Sequence, residues 1–240
     1  MLKIDLHVHT VQSGHAFNTI HDMALEARRK KMRIIGITDH GPFITGRGLE
    51  IYFKMGYRIP DRLFGVKILF GAELNIVDRG VVDLDDKILK KLKVVLAGFH
   101  KIEQYKDQGI KKNTDAMILA MKNPHVNIIS HPYTRICPVD IEKVALAACK
   151  YNKLLELNCS NFRYIKHSSK MDKDTIPIVQ KMIKTVKQQG KKFIINSDAH
   201  ILHELGDDSA VMAMQKELGF TAKDVINNYP DELNEYVKIK

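Results

Sequence analysis

The chain has 240 residues, of which 45% are hydrophobic and 28% charged, the composition of an ordinary folded protein, which excludes wholesale disorder. Its longest apolar runs, residues 116–121 and 144–149, fall far short of the roughly 20 residues a membrane helix needs. The formal charge of +10 suits an anionic partner, but the basic clusters at 28–33, 87–93, 111–112, 166–173 and 187–192 are dispersed, several at expected helix ends, and read as a solvated surface. Cys137, Cys149 and Cys159 form no C-x-x-C pair, so neither a disulfide framework nor a zinc ribbon is expected. Asp5 and His7 interrupt any signal-peptide core, and the expected setting is a reducing cytoplasm.

In chain order, short apolar runs rich in β-branched residues predict strands at 3–7, 33–38, 67–74, 92–99, 126–130, 153–157 and 192–196. Amphipathic spacing predicts helices at 19–31, 85–91, 114–122, 139–150, 175–189, 206–218 and 222–228. Asn18-Thr19, Asn113-Thr114, Pro138 and Asp174-Thr175 are start signals, and Gly190 stops the long fifth helix. Alternation of this kind gives a parallel α/β architecture, and the absence of any linker-like stretch gives one domain over residues 1–240, closed or nearly closed as a barrel. The irregular segment 41–60 is long for a connection and is a candidate binding loop, with Phe43, Tyr52 and Phe53 as candidates to close the pocket.

Chemistry concentrates at the strand ends. His7 and His9 end the first strand, His40 the second, Glu73 lies in the third, His100 and His131 end the fourth and fifth, and Asp198 and His200 end the seventh. In a parallel barrel these ends converge on one mouth. His7 and His9, two apart on an extended chain, point to one face. With His15 these residues make nine nitrogen and oxygen donors without a thiolate, a set suited to zinc, manganese or ferrous iron. Nine exceeds one tetrahedral zinc and suffices for two or three ions bridged by a carboxylate. Paired ions are the usual apparatus for hydrolysing phosphate esters.

The elements His7-Val8-His9, Thr38-Asp39-His40, Glu73, His100, His131 and Asp198-Ala199-His200 resemble, in order, the signature of the PHP (polymerase and histidinol phosphatase) family. The surrounding sequence is similar to the small stand-alone phosphatases of the YcdX type, over residues 3–235. The resemblance implies a distorted seven-stranded (β/α)7 barrel with a trinuclear metal site at the C-terminal mouth. It implies a first ion on His7, His9, Glu73 and Asp198, a second on Glu73, His100 and His131, and a third on His15, His40 and His200. Three divalent ions are expected, zinc first, with manganese or iron as alternatives. The implied activity is hydrolysis of a small phosphomonoester (histidinol phosphate, a sugar phosphate or a nucleotide) by a metal-bound hydroxide. Glu73 and Asp198 are the catalytic candidates.

Asp39 and Asp5 neighbour ligand histidines and are candidates to orient imidazoles. Lys101, directly after one ligand, and Arg135, four residues past another, are candidate phosphate contacts. Asn158 and Ser160 end the sixth strand, the one without a metal ligand, and are candidate substrate contacts. The alternatives are a nuclease acting on nucleic acid, which lacks the aromatic-interleaved basic stripe that stacks single strands, and a non-catalytic metal-stabilised interaction module.

Overall fold

The computed structural model describes residues 1–46, 49–165 and 172–239; most of the basic cluster at 166–173 and Gly48 of the 41–60 segment lie outside them. Seven parallel strands follow one another round the sheet: β1 (Ile4–Val8), β2 (Ile34–Ile37), β4 (Val66–Asn75), β5 (Val94–Gly98), β6 (Ile128–Ile129), β7 (Leu154–Asn158) and β8 (Ile194–Asn196). Each predicted strand is present. The sequence pattern does not predict β3 (Arg62–Leu63), which pairs antiparallel with β4 through a two-residue turn at Phe64 (φ 51°) and Gly65 (φ 82°). Two residues are too few for a period-2 signal, and the turn conformation is that of a tight hairpin. The barrel is nearly closed: β1 and the chain after β8 meet at a Val8–Ala199 bridge, and Asn196 spans the seam by accepting the Leu6 N–H at 2.9 Å.

The helices lie outside, as α1 (Ile20–Arg29), α2 (Glu50–Lys54), α3 (Asp86–Leu89), α4 (Ile110–Met121), α5 (Ile141–Lys150), α6 (Cys159–Arg163), α7 (Ile176–Gln188), α8 (Ser209–Ala213), α9 (Gln215–Leu218) and α10 (Pro230–Leu233). Thr19 and Asp22 form a reciprocal cap on α1, and Gly190 takes the left-handed conformation (φ 66°) just past α7. Two start signals are displaced. Asn113 lies inside α4, fully buried, where its side chain bonds Tyr105, Asp107 and the Pro138 carbonyl; Asp140 rather than Pro138 caps α5. The predicted helix 206–218 divides into α8 and α9 at Met214, and 222–228 is two 3-10 turns. Cys137, Cys149 and Cys159 are unbridged.

Each of the seven parallel strands buries both faces. Ile4, Leu6, Ile34, Leu69, Val94, Leu96, Ile128, Leu154 and Ile194 fill the barrel, stoppered at one end by Leu233 and Val237 of the C-terminal segment. Residues of opposite parity, such as Ile35, Ile37, Val95 and Leu155, pack with the helices. β1 breaks this alternation. Asp5 pairs with Ile35 but Val8 with Ile37, so β1 holds one residue more than β2 between the same two rungs. This bulge moves Val8 to the helix side although Leu6 faces inward, and so turns His7 and His9 into the mouth. Gly36 stands opposite: a Cβ there would lie 2.9 Å from the Leu6 Cα and carbonyl oxygen. The bulge therefore requires glycine at 36.

Candidate metal centre

Glu73, which is 1% exposed, is approached directly by five of the other eight expected ligands, while Asp198 adjoins His7 and His9, His200 adjoins Asp198 and His15 adjoins His200. Glu73 Oε1 lies 3.0 Å from the Nε2 atoms of both His100 and His131. Its Oε2 lies 2.9 Å from His40 Nδ1, 3.2 Å from His7 Nε2 and 3.4 Å from His9 Nε2. Asp198 Oδ1 approaches His9 Nε2 at 3.1 Å and His7 Nε2 at 3.5 Å. Donor atoms mutually within 4.8 Å form three sets: His7, His9 and Asp198; His40, Glu73 and His100; His9, His40 and His200. His40 thus adjoins both the second and third expected ions.

The imidazole tautomers test whether this cluster fits ions. His7 Nδ1 donates to Glu156 Oε1 at 2.7 Å, a carboxylate oxygen that only accepts. Ser13 spends its hydroxyl hydrogen on Asp39 Oδ1 (2.6 Å), so its oxygen accepts from His9 Nδ1 at 2.8 Å. His15 and His200 give their Nδ1 hydrogens to the carbonyls of Ser13 (3.1 Å) and Asp198 (3.0 Å). With Nδ1 engaged as a donor, each of these four rings presents its lone pair on Nε2 when neutral. Yet the Nε2 atoms of His7 and His9 are 3.0 Å apart, and those of His15 and His200 2.9 Å. Facing lone pairs at that distance repel unless a proton or cation sits at the convergence. His40 Nδ1, buried beside Glu73, makes no hydrogen bond of acceptable geometry, as befits a ligand atom. The residues fit divalent ions.

The electrostatics agree. Burial alone would raise the carboxyl pKa values, but His7, His100 and His40 hold Glu73 well below the usual range, and His7, His9 and His200 do the same for Asp198. Burial together with the His200 and His40 charges drives His9 well down and His15 to about 4; burial lowers His40 against the pull of Glu73. These rings are held neutral, the metal-binding form. His7 is raised, because Glu156, Glu73 and Asp198 outweigh its burial. His131 (φ 32°) and Asp198 (φ 53°) adopt left-handed backbone that non-glycine residues reach only at a cost, a common mark of functional positions.

Glu156 went unread in the sequence. It is fully buried in β7 and accepts four N–H groups: His7 Nδ1, Asn196 Nδ2 at 2.9 Å, Asn158 Nδ2 at 3.0 Å and the His131 amide at 3.2 Å. A lone glutamate inside the apolar run Leu-Leu-Glu-Leu was the available signal. Asp39 does not touch an imidazole; it reaches His9 through Ser13 and also accepts the Tyr52 hydroxyl at 2.7 Å. Asp5 instead holds the turn before Asp198, accepting the Ser197 hydroxyl and amide and the Gly206 amide. Phe53 is core, 2% exposed, while Phe43 stays 37% exposed.

Of the candidate substrate contacts, Asn158 donates to Glu156 and, at 3.1 Å, to Asp198, while its oxygen caps α6. Ser160 lies in the first turn of α6, half-buried. Lys101 is exposed directly after His100. Arg135 is exposed and paired with Asp172, on the rim of a cavity of about 280 Å³ also bordered by Tyr133, Thr134 and Thr175.

Fold and site define a nearly closed parallel barrel with clusters of histidines and carboxylates able to hold metal ions at the C-terminal ends of its strands. A PHP-domain sequence profile matches residues 5–220. The chain is 39% identical over its full length to a probable phosphatase of Thermoanaerobacter sp. strain X514, covering 96% of that protein. Its fold is similar to that of a putative histidinol phosphatase from Listeria monocytogenes (TM-score 0.63, 13% identity, 87% of this chain and 99% of that one). It is also similar to a Lactococcus lactis histidinol phosphate phosphatase complexed with zinc, L-histidinol and phosphate (TM-score 0.54, 16% identity, 91% and 94%). The chain belongs to the PHP-domain family.

Proposed function

We propose that this protein is a metal-dependent phosphatase that hydrolyses a small phosphomonoester, with zinc as the first candidate ion and manganese or iron as alternatives. The observation that carries the reading is the convergence of imidazole Nε2 atoms, His7 on His9 at 3.0 Å and His15 on His200 at 2.9 Å, beside two carboxylates held ionised. His7, His9, Glu73 and Asp198 would hold one ion, Glu73 with His100 and His131 a second, and His15, His40 and His200 a third. When bound, such ions lower the pKa of water and neutralise phosphoryl oxygens.

The chain's own residues do the rest. Glu156, through His7, and Ser13, through His9, fix the rings in the tautomer that presents Nε2 to the centre. Asn158 takes one oxygen of Asp198 and leaves the other facing His7 and His9. Because Asp198 is held ionised it has no proton to give, and the leaving oxygen is protonated by water at the open rim where His15 is exposed.

The test is inorganic phosphate release from a panel of sugar phosphates, nucleotides and histidinol phosphate, with a chelated control and zinc or manganese restored. Metal-dependent release is the expected result. Bound metal with release from nucleic acid but from no monoester would replace this reading with a nuclease, and bound metal without turnover would leave an interaction module.

A further inference from the structure

Beyond the ends of their ladder, β2 and β4 are kept together by unusual means. His40 and Glu73 form a single parallel bridge: the Glu73 amide donates to the Asp39 carbonyl at 3.0 Å, and the Gly41 amide to the Glu73 carbonyl at 2.8 Å. Past that rung a side chain takes over. Asp83 Oδ1 accepts the Asn75 backbone amide at 2.8 Å. Its Oδ2 accepts Asn75 Nδ2 at 2.5 Å and the Phe43 amide at 3.0 Å. One carboxylate thereby joins the residue two past Glu73 to the residue three past His40. Asp83 is itself brought there by the Ile76–Val82 antiparallel bridge.

The fit is close from the other side as well. A Cβ on Gly41 would stand 2.4 Å from Asp83 Oδ1, so any larger residue there displaces the carboxylate. Among the described residues Asp83 has no lysine or arginine partner, and burial raises its pKa above the usual carboxylate range. Three N–H donors, rather than a cation, hold it. A surface cap would satisfy one segment; this group ties β4, which carries Glu73, to the chain beyond β2, which carries His40, and the Oε2 and Nδ1 of these two are 2.9 Å apart.

We propose that Asp83 is a positioning residue of the metal centre, setting His40 against Glu73 by clamping the chain that leaves each of them. The inference rests on the metal-centre reading above. Supporting partners of this kind typically affect metal affinity by about 10–100-fold when removed.

The experiment is competition between the protein and a chromophoric chelator for zinc, and separately for manganese, with circular dichroism and the Tm of the metal-free protein measured alongside. In Asp83→Asn an amide nitrogen replaces one oxygen and faces an N–H donor. Zinc affinity at one site per chain is expected to fall by about 10–100-fold while the metal-free fold is retained. Gly41→Ala, which pushes the carboxylate out of place, is expected to give the same defect. Combining it with Asp83→Ala is expected to be no worse than Asp83→Ala alone, because the two act on one contact. A folded Asp83→Asn protein with wild-type zinc affinity and stoichiometry overturns the proposal, and a wild-type protein that binds no zinc or manganese overturns the metal-centre reading beneath it.

Should the variants not fold, reciprocity supplies the test in the wild type: what helps the metal must be helped by it. Metal loading is expected to slow hydrogen exchange of the Phe43 and Asn75 amides more than that of the α7 amides. Equal slowing overturns the proposal.

Discussion

Glu73→Gln isolates charge from shape. The amide keeps the carboxylate's outline among the five imidazoles whose nitrogens lie 2.9–3.4 Å away, but removes the negative charge shared by the sites on its two sides. Removing one partner from a buried charge pair typically costs about 3–5 kcal/mol. At about 1.4 kcal/mol per decade, that is roughly two to four orders of magnitude in metal affinity. Both Oε1 and Oε2 are engaged, so more than one ion is affected. The assay is metal content per chain by elemental analysis after dialysis against buffered zinc, paired with phosphate release. The Glu73→Gln protein is expected to lose at least one ion and to turn over at least about 100-fold more slowly. Full metal content with turnover within about tenfold of wild type would show that Glu73 is not the bridge the geometry makes it.

Glu156→Gln is expected to weaken metal binding by about 10–100-fold without touching an ion, because it loosens the tautomer of His7; unchanged affinity in chelator competition would refute that role. Chelation is expected to lower thermal stability: an ion present at 100 times its Kd contributes about 2.7 kcal/mol. At about 2–4 °C per kcal/mol for a chain this size, that is a Tm drop of roughly 5–11 °C per ion in a melting scan. A Tm indifferent to chelator would contradict a metal-braced mouth. The metal-free protein is expected to lose stability as pH falls from 6.5 toward 4. In that window the unfolded chain protonates histidines that the folded state keeps neutral, His9, His15 (to about 4) and His40. His7, raised in the folded state, adds no slope there because it is already protonated in the fold and its contribution is complete below 6.5. Urea midpoints that stay level or rise over that interval would be the contrary result.

The strands were legible because each parallel strand buries both faces and so reads as a continuous apolar run, and the candidate ligands stood out because histidine and carboxylate are conspicuous where such runs end. The fold's decisive local feature was not legible. Ile4-Asp5-Leu6-His7-Val8-His9 alternates without a fault, and strict alternation puts His7 and His9 on the face opposite Leu6, away from the barrel's interior. Only the extra residue in β1, measured against the rungs of β2, reverses the parity, and a register difference between two strands is not a property of either alone. The glycine that allows it, Gly36, lies within Ile-Ile-Gly-Ile and could equally have been a weak point in a strand.

The same limit separates the ligands from the groups that aim them. A metal ligand can be read by residue type and strand position. Glu156, Asp83 and Ser13 are defined by what they touch across 149, 40 and 26 residues of chain: His7, Phe43 and Asp39. Asp83 also stands among Asp78, Asp85 and Asp86, which makes it look like one solvated carboxylate of several. What distinguishes it is that the folded chain brings it three N–H donors, two from Asn75 in β4 and one from Phe43 beyond β2, and, among the described residues, no cation. Sequence shows which atoms can hold an ion. The geometry that makes them hold it comes from polar groups whose partners exist only after folding, and there a conservative substitution should act on affinity before it acts on the fold.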